Sequence, residues 1–345
     1  MNLKKSLIAG AIIASSLSLT ACGSFDNDTA AQSSQADVLK VTEQNYAFAE
    51  TARNYRNWVA LGANDQLTHM RALPPRGKDA PTVQMNDDTL YSVAVVETVD
   101  GKVNFDIPKV DVYMAVQVVS EGGHGQHYVV GEGSYDLPVE TQYAFLIYRT
   151  GTEKGLDASR AAQDQITTDN LKFGTYQVKS FNYDEVETWT KALTAETQGE
   201  IFNYTFPRTS QQVTDRHQWN LENANGWGGS SPEVDVANLY TNSVTFSGSE
   251  CNTTTFDEPQ SKYFTSITAY DQSRYLIDGA NHVSSNNWEE NANGTITVSF
   301  NCGEQAINNI NTQGQDFSFT VRYYGVSQKV LDGKVTPEAT VINHG

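Results

Sequence analysis

The stretch MNDDTLYS, Met85 to Ser92, sets two adjacent carboxylates, Asp87 and Asp88, beside an amide and the hydroxyls of Thr89, Tyr91 and Ser92. A carboxylate doublet can ligate calcium or supply an acid–base pair, and Asp88 with the hydroxyl of Tyr91 or Ser92 offers the parts of a hydrolytic site. The residues that follow do not continue a calcium-loop pattern. A turn over Asn86 to Thr89, with Asn or Asp side chains capping backbone N–H groups, accounts for the same residues without chemistry. In an extended strand Asp88, Leu90 and Ser92 share one face and Thr89 and Tyr91 the other, so one of the two hydroxyls is structural.

Other reactive groups are scattered. His124 and His127, in EGGHGQH, could bring two imidazoles to a metal, but two ligands are too few. His69, His217 and His282 are isolated in sequence. The chain lacks a GxSxG elbow, an HExxH helix, a Walker loop and a dinucleotide fingerprint. No metal site and no cofactor are expected.

The N-terminus carries the most specific signal. In MNLKKSLIAGAIIASSLSLTACGS, two lysines precede an apolar run that ends on small residues before Cys22, the layout of an exported leader. Leu19, Thr20, Ala21 and Cys22 match a bacterial lipobox. The expectation is a leader over residues 1–21, lipidation at Cys22 and a flexible tether over 22–36. Gly23, where an aspartate would favour inner-membrane retention, points to the outer membrane as the site of anchorage. Export also sets an oxidising environment, in which Cys251 and Cys302 remain as one pair and are expected to form a disulfide.

Length and charge bound the rest. At 345 residues two domains are expected. A formal charge of -18 repels phosphate and excludes nucleic acid as a partner. It leaves a cation, a neutral sugar or an apolar molecule as a ligand, or a surface that is acidic only for solubility.

Helical spacing of Phe48, Ala52, Tyr55 and Val59, closed by Gly62, predicts one amphipathic helix, and RALPPRGKDAPT a loop after it. LYSVAVVETV, DVYMAVQVVS, QHYVVG and YAFLIYRT read as strands separated by the turns VDGK, EGGHG and GEGSYD. Asp157 is a candidate N-cap for ASRAAQDQI, and Asn182 with Glu185 resembles a capping box. TNSVTFSG, YFTSITAYD, TITVSFNC and FSFTVRYYG are strand-like in turn. The fold expected is therefore α+β, mainly β: an N-terminal α+β domain of antiparallel strands over 37–205, a polar junction over 206–233, and a C-terminal jelly-roll-like β-sandwich over 234–345.

MNDDTLYSVAVVET, DVYMAVQVV and YAFLIYRTGTEKGLDASRAAQDQI, in that order, resemble the domain of unknown function 1254 over about residues 40 to 200. YFTSITAYDQSRYLIDGANHVSSNN, NANGTITVSF and FSFTVRYYGVSQKVLDGKVTPE resemble the domain of unknown function 1214, which commonly follows it. This resemblance implies the same two-part fold and marks Asn86, Asp88, Thr89, Leu90, Tyr91, Ser92, Gln117 and Arg149, with Tyr270, Asp271 and Asn281 in the second half. The chain departs from the pattern at Asp87, where arginine is common, and at His282, where another basic residue often stands. Three functions remain open: a lipid-anchored envelope protein binding a small or carbohydrate-like ligand in a cleft between its β-rich halves, an envelope hydrolase using Asp88, and a scaffold for another envelope protein. The supply of 17 Tyr and 5 Trp suits the first.

Overall fold

A computed structural model describes residues 38–125, 127–197, 201–202, 204–226, 236, 238–279, 282–335 and 339–341. The leader, Cys22, the tether, Asn281 and residues 227–233 of the expected junction lie outside the described residues.

The first helix, α1 (Tyr46–Ala60), buries Tyr46, Ala49, Ala52, Tyr55 and Trp58. It ends where Gly62, at φ 97°, donates its N–H to the Val59 carbonyl, a left-handed exit that glycine enters at little cost. Strands β1 (Thr68–His69), β2 (Thr89–Glu97), β3 (Lys102–Ile107), β4 (Met114–Ser120), β5 (His127–Val130), β6 (Gly133–Pro138) and β7 (Tyr143–Gly151) follow. They form an antiparallel sheet in the order β1-β2-β7-β4-β5 and a separate two-stranded β3-β6 sheet.

Both faces of this sheet are covered, which explains why β2 and β7 read as near-continuous apolar runs. Ala94, Val96, Val116, Leu146 and Tyr148 pack against the β3-β6 pair and against Ala162 of α2 (Leu156–Gln163). Tyr91, Val93, Phe145 and Ile147, on the opposite face, pack with Tyr55 and Trp58 of α1 and with Tyr270 and Leu276 from the second half of the chain.

Helix α3 (Tyr183–Glu196) starts as expected: Asn182 Oδ1 accepts the Glu185 N–H at 3.3 Å. Glu185 completes no reciprocal box, because its carboxylate takes the Val41 N–H instead, at 2.7 Å. Three local expectations are corrected. Gly155, not Asp157, caps α2; Asp157 lies in the first turn, where its carboxylate meets Arg160 at 3.0 Å. GEGSYD is not simply a turn, since Gly133 onward is β6. The polar stretch before residue 227 contains α4 (Arg216–Ala224), capped by Asp215, whose side chain accepts the Gln218 N–H at 3.0 Å.

The second half is a β-sandwich. Strands β8 (Ile201–Phe202), β9 (Asn238–Asn242), β11 (Phe264–Tyr270), β12 (His282–Ser284) and β15 (Ser318–Tyr324) form an antiparallel sheet ordered β12-β11-β15-β9-β8. Strands β10 (Asn252–Asp257), β13 (Thr295–Phe300), β14 (Asn309–Ile310) and β16 (Ala339–Val341) form the facing one, ordered β14-β13-β10-β16. Ile267, Ala269, Phe319, Val321 and Tyr323 from the first meet Phe256, Ile296, Val298 and Phe300 from the second. Cys251 and Cys302 are disulfide-bonded with their Cα atoms 4.6 Å apart, joining the start of β10 to the end of β13. The whole is α+β and mainly β, and Val38–Gly345 forms one compact unit.

Candidate functional site

The MNDDTLYS stretch is a turn running into β2, and its Met85, Asn86 and Tyr91 line a cavity. Asn86 Oδ1 accepts from the Asp88 N–H at 3.1 Å, the Thr89 N–H at 3.0 Å and the Thr89 hydroxyl at 3.1 Å. Its amide nitrogen donates to the Tyr324 hydroxyl at 2.7 Å, tying the turn to β15. Strand alternation then sends Tyr91 to one face of the sheet and Ser92 to the other. Ser92 lies 2.7 Å from His69 Nδ1 and accepts from Gln163 of α2 at 3.0 Å.

On the Tyr91 face stands Arg149, directly opposite Tyr91 in the β2–β7 register. It is 4% exposed and donates to the Tyr91 hydroxyl at 3.2 Å and to Gln117 Oε1 at 2.7 Å. Its Nε and the Gln117 Nε2 are buried donors with no acceptor among the described residues. The second half repeats the arrangement. Arg322, 1% exposed, is opposite Tyr240 in the β9–β15 register. It donates to Thr268 Oγ1 at 3.2 Å, to the Gln84 carbonyl at 2.7 Å and to the Tyr270 hydroxyl.

These two halves converge on a cavity of about 40 Å³. Asn86, Tyr91 and Arg149 line it from one side and Tyr240, Thr320 and Arg322 from the other, with Trp58, Met85 and Ile147 as its buried apolar wall. Thr82, Val83 and Gln84 line both this cavity and a neighbouring polar groove of about 1080 Å³. Gln84 sits at φ 52°, held by its N–H on the Arg274 carbonyl at 2.8 Å and by its carbonyl under Arg322.

The electrostatics are lopsided. Neither Arg149 nor Arg322 is in an ion pair among the described residues, and a guanidinium stays charged at any ordinary pH. Burial pushes the phenols of Tyr113, Tyr128, Tyr270 and Tyr324 above their ordinary range, so they are neutral and do not balance these charges. Asp88 is an acid on which Arg322 acts. Burial raises its carboxyl above the usual range, against the opposing pull of His282, a hydrogen bond from Ser266 and Arg322. Ser266 donates to Asp88 Oδ2 at 2.5 Å and His282 Nε2 is 4.0 Å from Oδ1. Asp87 is taken by Arg76 in a two-pronged pair at 2.7 and 2.6 Å.

Of the residues singled out from the sequence, Asn86, Tyr91 and Arg149 line the cavity, Gln117 and Tyr270 hold its arginines, and Asp88 and Thr89 belong to the supporting turn. Ser92 faces away, so Asp88 and the Ser92 hydroxyl do not assemble; the hydroxyl on Asp88 is that of Ser266. Asp271 lines the groove, its carboxylate accepting the Ser273 and Tyr275 N–H groups at 2.8 and 2.9 Å. His124 and His127 turn to different partners, Glu140 at 3.2 Å and the Pro138 carbonyl at 2.8 Å. Among the described residues no group of three or more His, Cys, Asp or Glu is placed to hold a metal. Sequence reasoning missed Arg322 and Tyr240, although a lone charge inside FSFTVRYYG mirrors Arg149 inside YAFLIYRT.

Residues 64–170 match the model of a family described as a protein of unknown function (DUF1254). No curated protein matches the sequence. Among solved structures, the VPA0106 protein of Vibrio parahaemolyticus is similar at a TM-score of 0.61 and 13% identity, over 87% of this chain and 98% of that one. An uncharacterised protein from Burkholderia cenocepacia gives a TM-score of 0.47 at 15% identity, over 87% of this chain and 88% of that one. At such identity the Vibrio likeness speaks to fold alone.

Proposed function

We propose that the protein is a lipid-anchored cell-envelope protein that binds a small ligand in the cleft between its two β-rich halves, the second of the domain 1214 kind. One observation carries this reading: polar side chains from both halves and an apolar wall meet at one cavity whose two guanidiniums have no ion-pair partner among the described residues. Leaving buried polar groups unmet costs about 1–3 kcal/mol each and more when they are charged. Arg149 Nε is such an unmet group beside the cavity, which supports an occupant there. A cavity of about 40 Å³ takes only a few non-hydrogen atoms, so a sugar ring would have to sit in the groove of about 1080 Å³ outside it.

A thermal-shift screen of the purified full-length chain against sugars, small acids and amides, and esters tests this. A ligand that binds the folded state alone, at a hundred times its Kd, should stabilise by about 2.7 kcal/mol. The shift should shrink in Tyr240→Ala, which removes part of the cavity wall. An equal shift in a folded Tyr240→Ala protein would place binding elsewhere.

A hydrolase is the second reading, favoured by the 2.5 Å contact between Asp88 and the Ser266 hydroxyl. A raised carboxyl beside a hydroxyl is one form of an acid–base pair. Turnover of any ester in the screen, lost in Asp88→Ala, would support it.

A further inference from the structure

The geometry points to a carboxylate as the group that fills the cavity, held between Arg149 and Arg322 and carried by a small organic acid whose remaining carbon atoms face Trp58, Met85 and Ile147. This rests on the cleft-binding reading above and names its ligand class.

Four observations lead there. The first is charge: two guanidiniums, each at least nine-tenths buried, line one cavity with no ion-pair partner among the described residues. The second is unmet donor capacity. Arg149 uses two of its five N–H groups, on Tyr91 and Gln117, and its Nε is buried without an acceptor. Gln117 Nε2, on the residue that Arg149 grips, is likewise a buried donor without an acceptor. Gln117 does not line the cavity, so it is the Arg149 donor that favours an occupant that only accepts, which an ionised carboxylate does and a sugar hydroxyl does not.

Size is the third. About 40 Å³ admits a carboxylate with a short carbon stub, and beside its polar lining the cavity offers that stub an apolar wall of Trp58, Met85 and Ile147. Inorganic phosphate would offer those apolar walls nothing. The fourth is the approach. On a chain of net charge -18, the groove behind Thr82, Val83 and Gln84 is lined by Arg53, Arg56, Lys78, Lys191 and Arg274, against the acids Glu187 and Asp271. Arg56 and Lys78 are in no ion pair among the described residues. On an acidic protein, a basic groove next to a cationic cavity draws anions to that place.

The test is titration calorimetry and thermal shift on the full-length chain at fixed pH and ionic strength, with matched pairs that differ only in charge: acetate and acetamide, propionate and propionamide, benzoate and benzamide. Inorganic phosphate is the control for a tetrahedral anion. The expected result is saturable binding of at least one carboxylate, at least tenfold tighter than its amide, and weakened at least tenfold in folded Arg149→Met and Arg149→Gln variants. The acid–amide comparison needs no variant, so a substitution that fails to fold leaves the test intact. Amides binding as tightly as acids would overturn the carboxylate while leaving the cleft as a binding site. Phosphate binding alone would overturn it in favour of a tetrahedral anion. Carboxylate binding unchanged in the folded variants would overturn the arginine site. Absence of any binding would overturn both this inference and the reading it rests on.

Discussion

Arg149 and Arg322 occupy the third strands of two different five-stranded antiparallel sheets, and both line one cavity. Each stands opposite a tyrosine of the adjacent strand, Tyr91 or Tyr240, with its guanidinium 5.3 or 5.1 Å from that ring's centre. Cation–π attraction offsets part of the cost of burying each charge but does not neutralise it.

The two arginines should differ in what they do for stability. Arg322 satisfies the Gln84 carbonyl and the Thr268 and Tyr270 hydroxyls, and so pins a residue held at positive φ. Arg322→Met is expected to cost about 2–4 kcal/mol. Arg149→Met loses two hydrogen bonds but also removes a buried charge with an unmet donor, and should cost about 1–2 kcal/mol. Urea denaturation of both variants checks the order; an equal or reversed order would sink the assignment.

Asp88 gives a pH dependence of definite sign. Its folded carboxyl titrates above the unfolded one, so the native state holds the proton more tightly. The associated stability is present at pH below the unfolded value and is lost as pH rises through the folded one. Asp88→Asn keeps a partner for Ser266 and removes the titration. Compared with the variant, the parent should therefore gain Tm as pH falls from 7.5 toward 4. A parent that loses Tm relative to Asp88→Asn over that range would mean that His282 and Arg322 outweigh burial.

What was legible in the sequence was what is local. Asn182 capping Glu185, Gly62 ending α1 and the apolar run of β7 each depend on neighbours a few residues away. Helix α4 escaped because polar residues share its buried face with Trp219, Leu221 and Ala224: Asn220 donates to the Glu43 carbonyl at 2.7 Å, and Glu222 accepts the Tyr204 N–H at 2.6 Å. Without apolar periodicity such a helix looks like a linker. The β3-β6 pair escaped in part because β6 is mostly exposed, although Val103, Phe105 and Ile107 alternate inward along β3 as a half-buried strand should. For the candidate site, Asn86 and Arg149 were marked while Arg322 was not, since no local pattern says that two distant strands will aim arginines at one point.

The Cys251–Cys302 bond closes a loop with a sequence separation of 51 residues. Chain-entropy arguments give it about 4 kcal/mol of stabilisation. Reduction, or the Cys251→Ala/Cys302→Ala pair, should lower the denaturation midpoint accordingly, and alkylation of the unreduced native protein should find neither thiol. An unchanged midpoint would mean that the β10–β13 pairing already restrains the unfolded chain.

The proposed envelope anchorage rests on Cys22. Cys22→Ser is expected to abolish palmitate labelling and to move the protein from the membrane to the soluble fraction, because a single apolar leader does not substitute for acyl chains once it is cleaved. Persistent labelling would refute lipidation at this cysteine.

Asn86 joins the turn to the cavity, and one substitution separates its two roles. Its Oδ1 accepts three hydrogen bonds within the turn and its Nδ2 donates one to Tyr324. Asn86→Ala leaves buried groups unmet on both sides and should cost about 2–4 kcal/mol. Asn86→Asp keeps the acceptor for the turn but loses the donor to Tyr324 and brings a carboxylate to the cavity wall beside Arg149 and Arg322. If the turn is the whole role of this residue, both variants lose stability and ligand shifts scale with what remains folded. If the site is as described, Asn86→Asp should retain more stability than Asn86→Ala yet bind carboxylates more weakly, because its own charge competes for the two arginines. Calorimetry on both folded variants separates these outcomes.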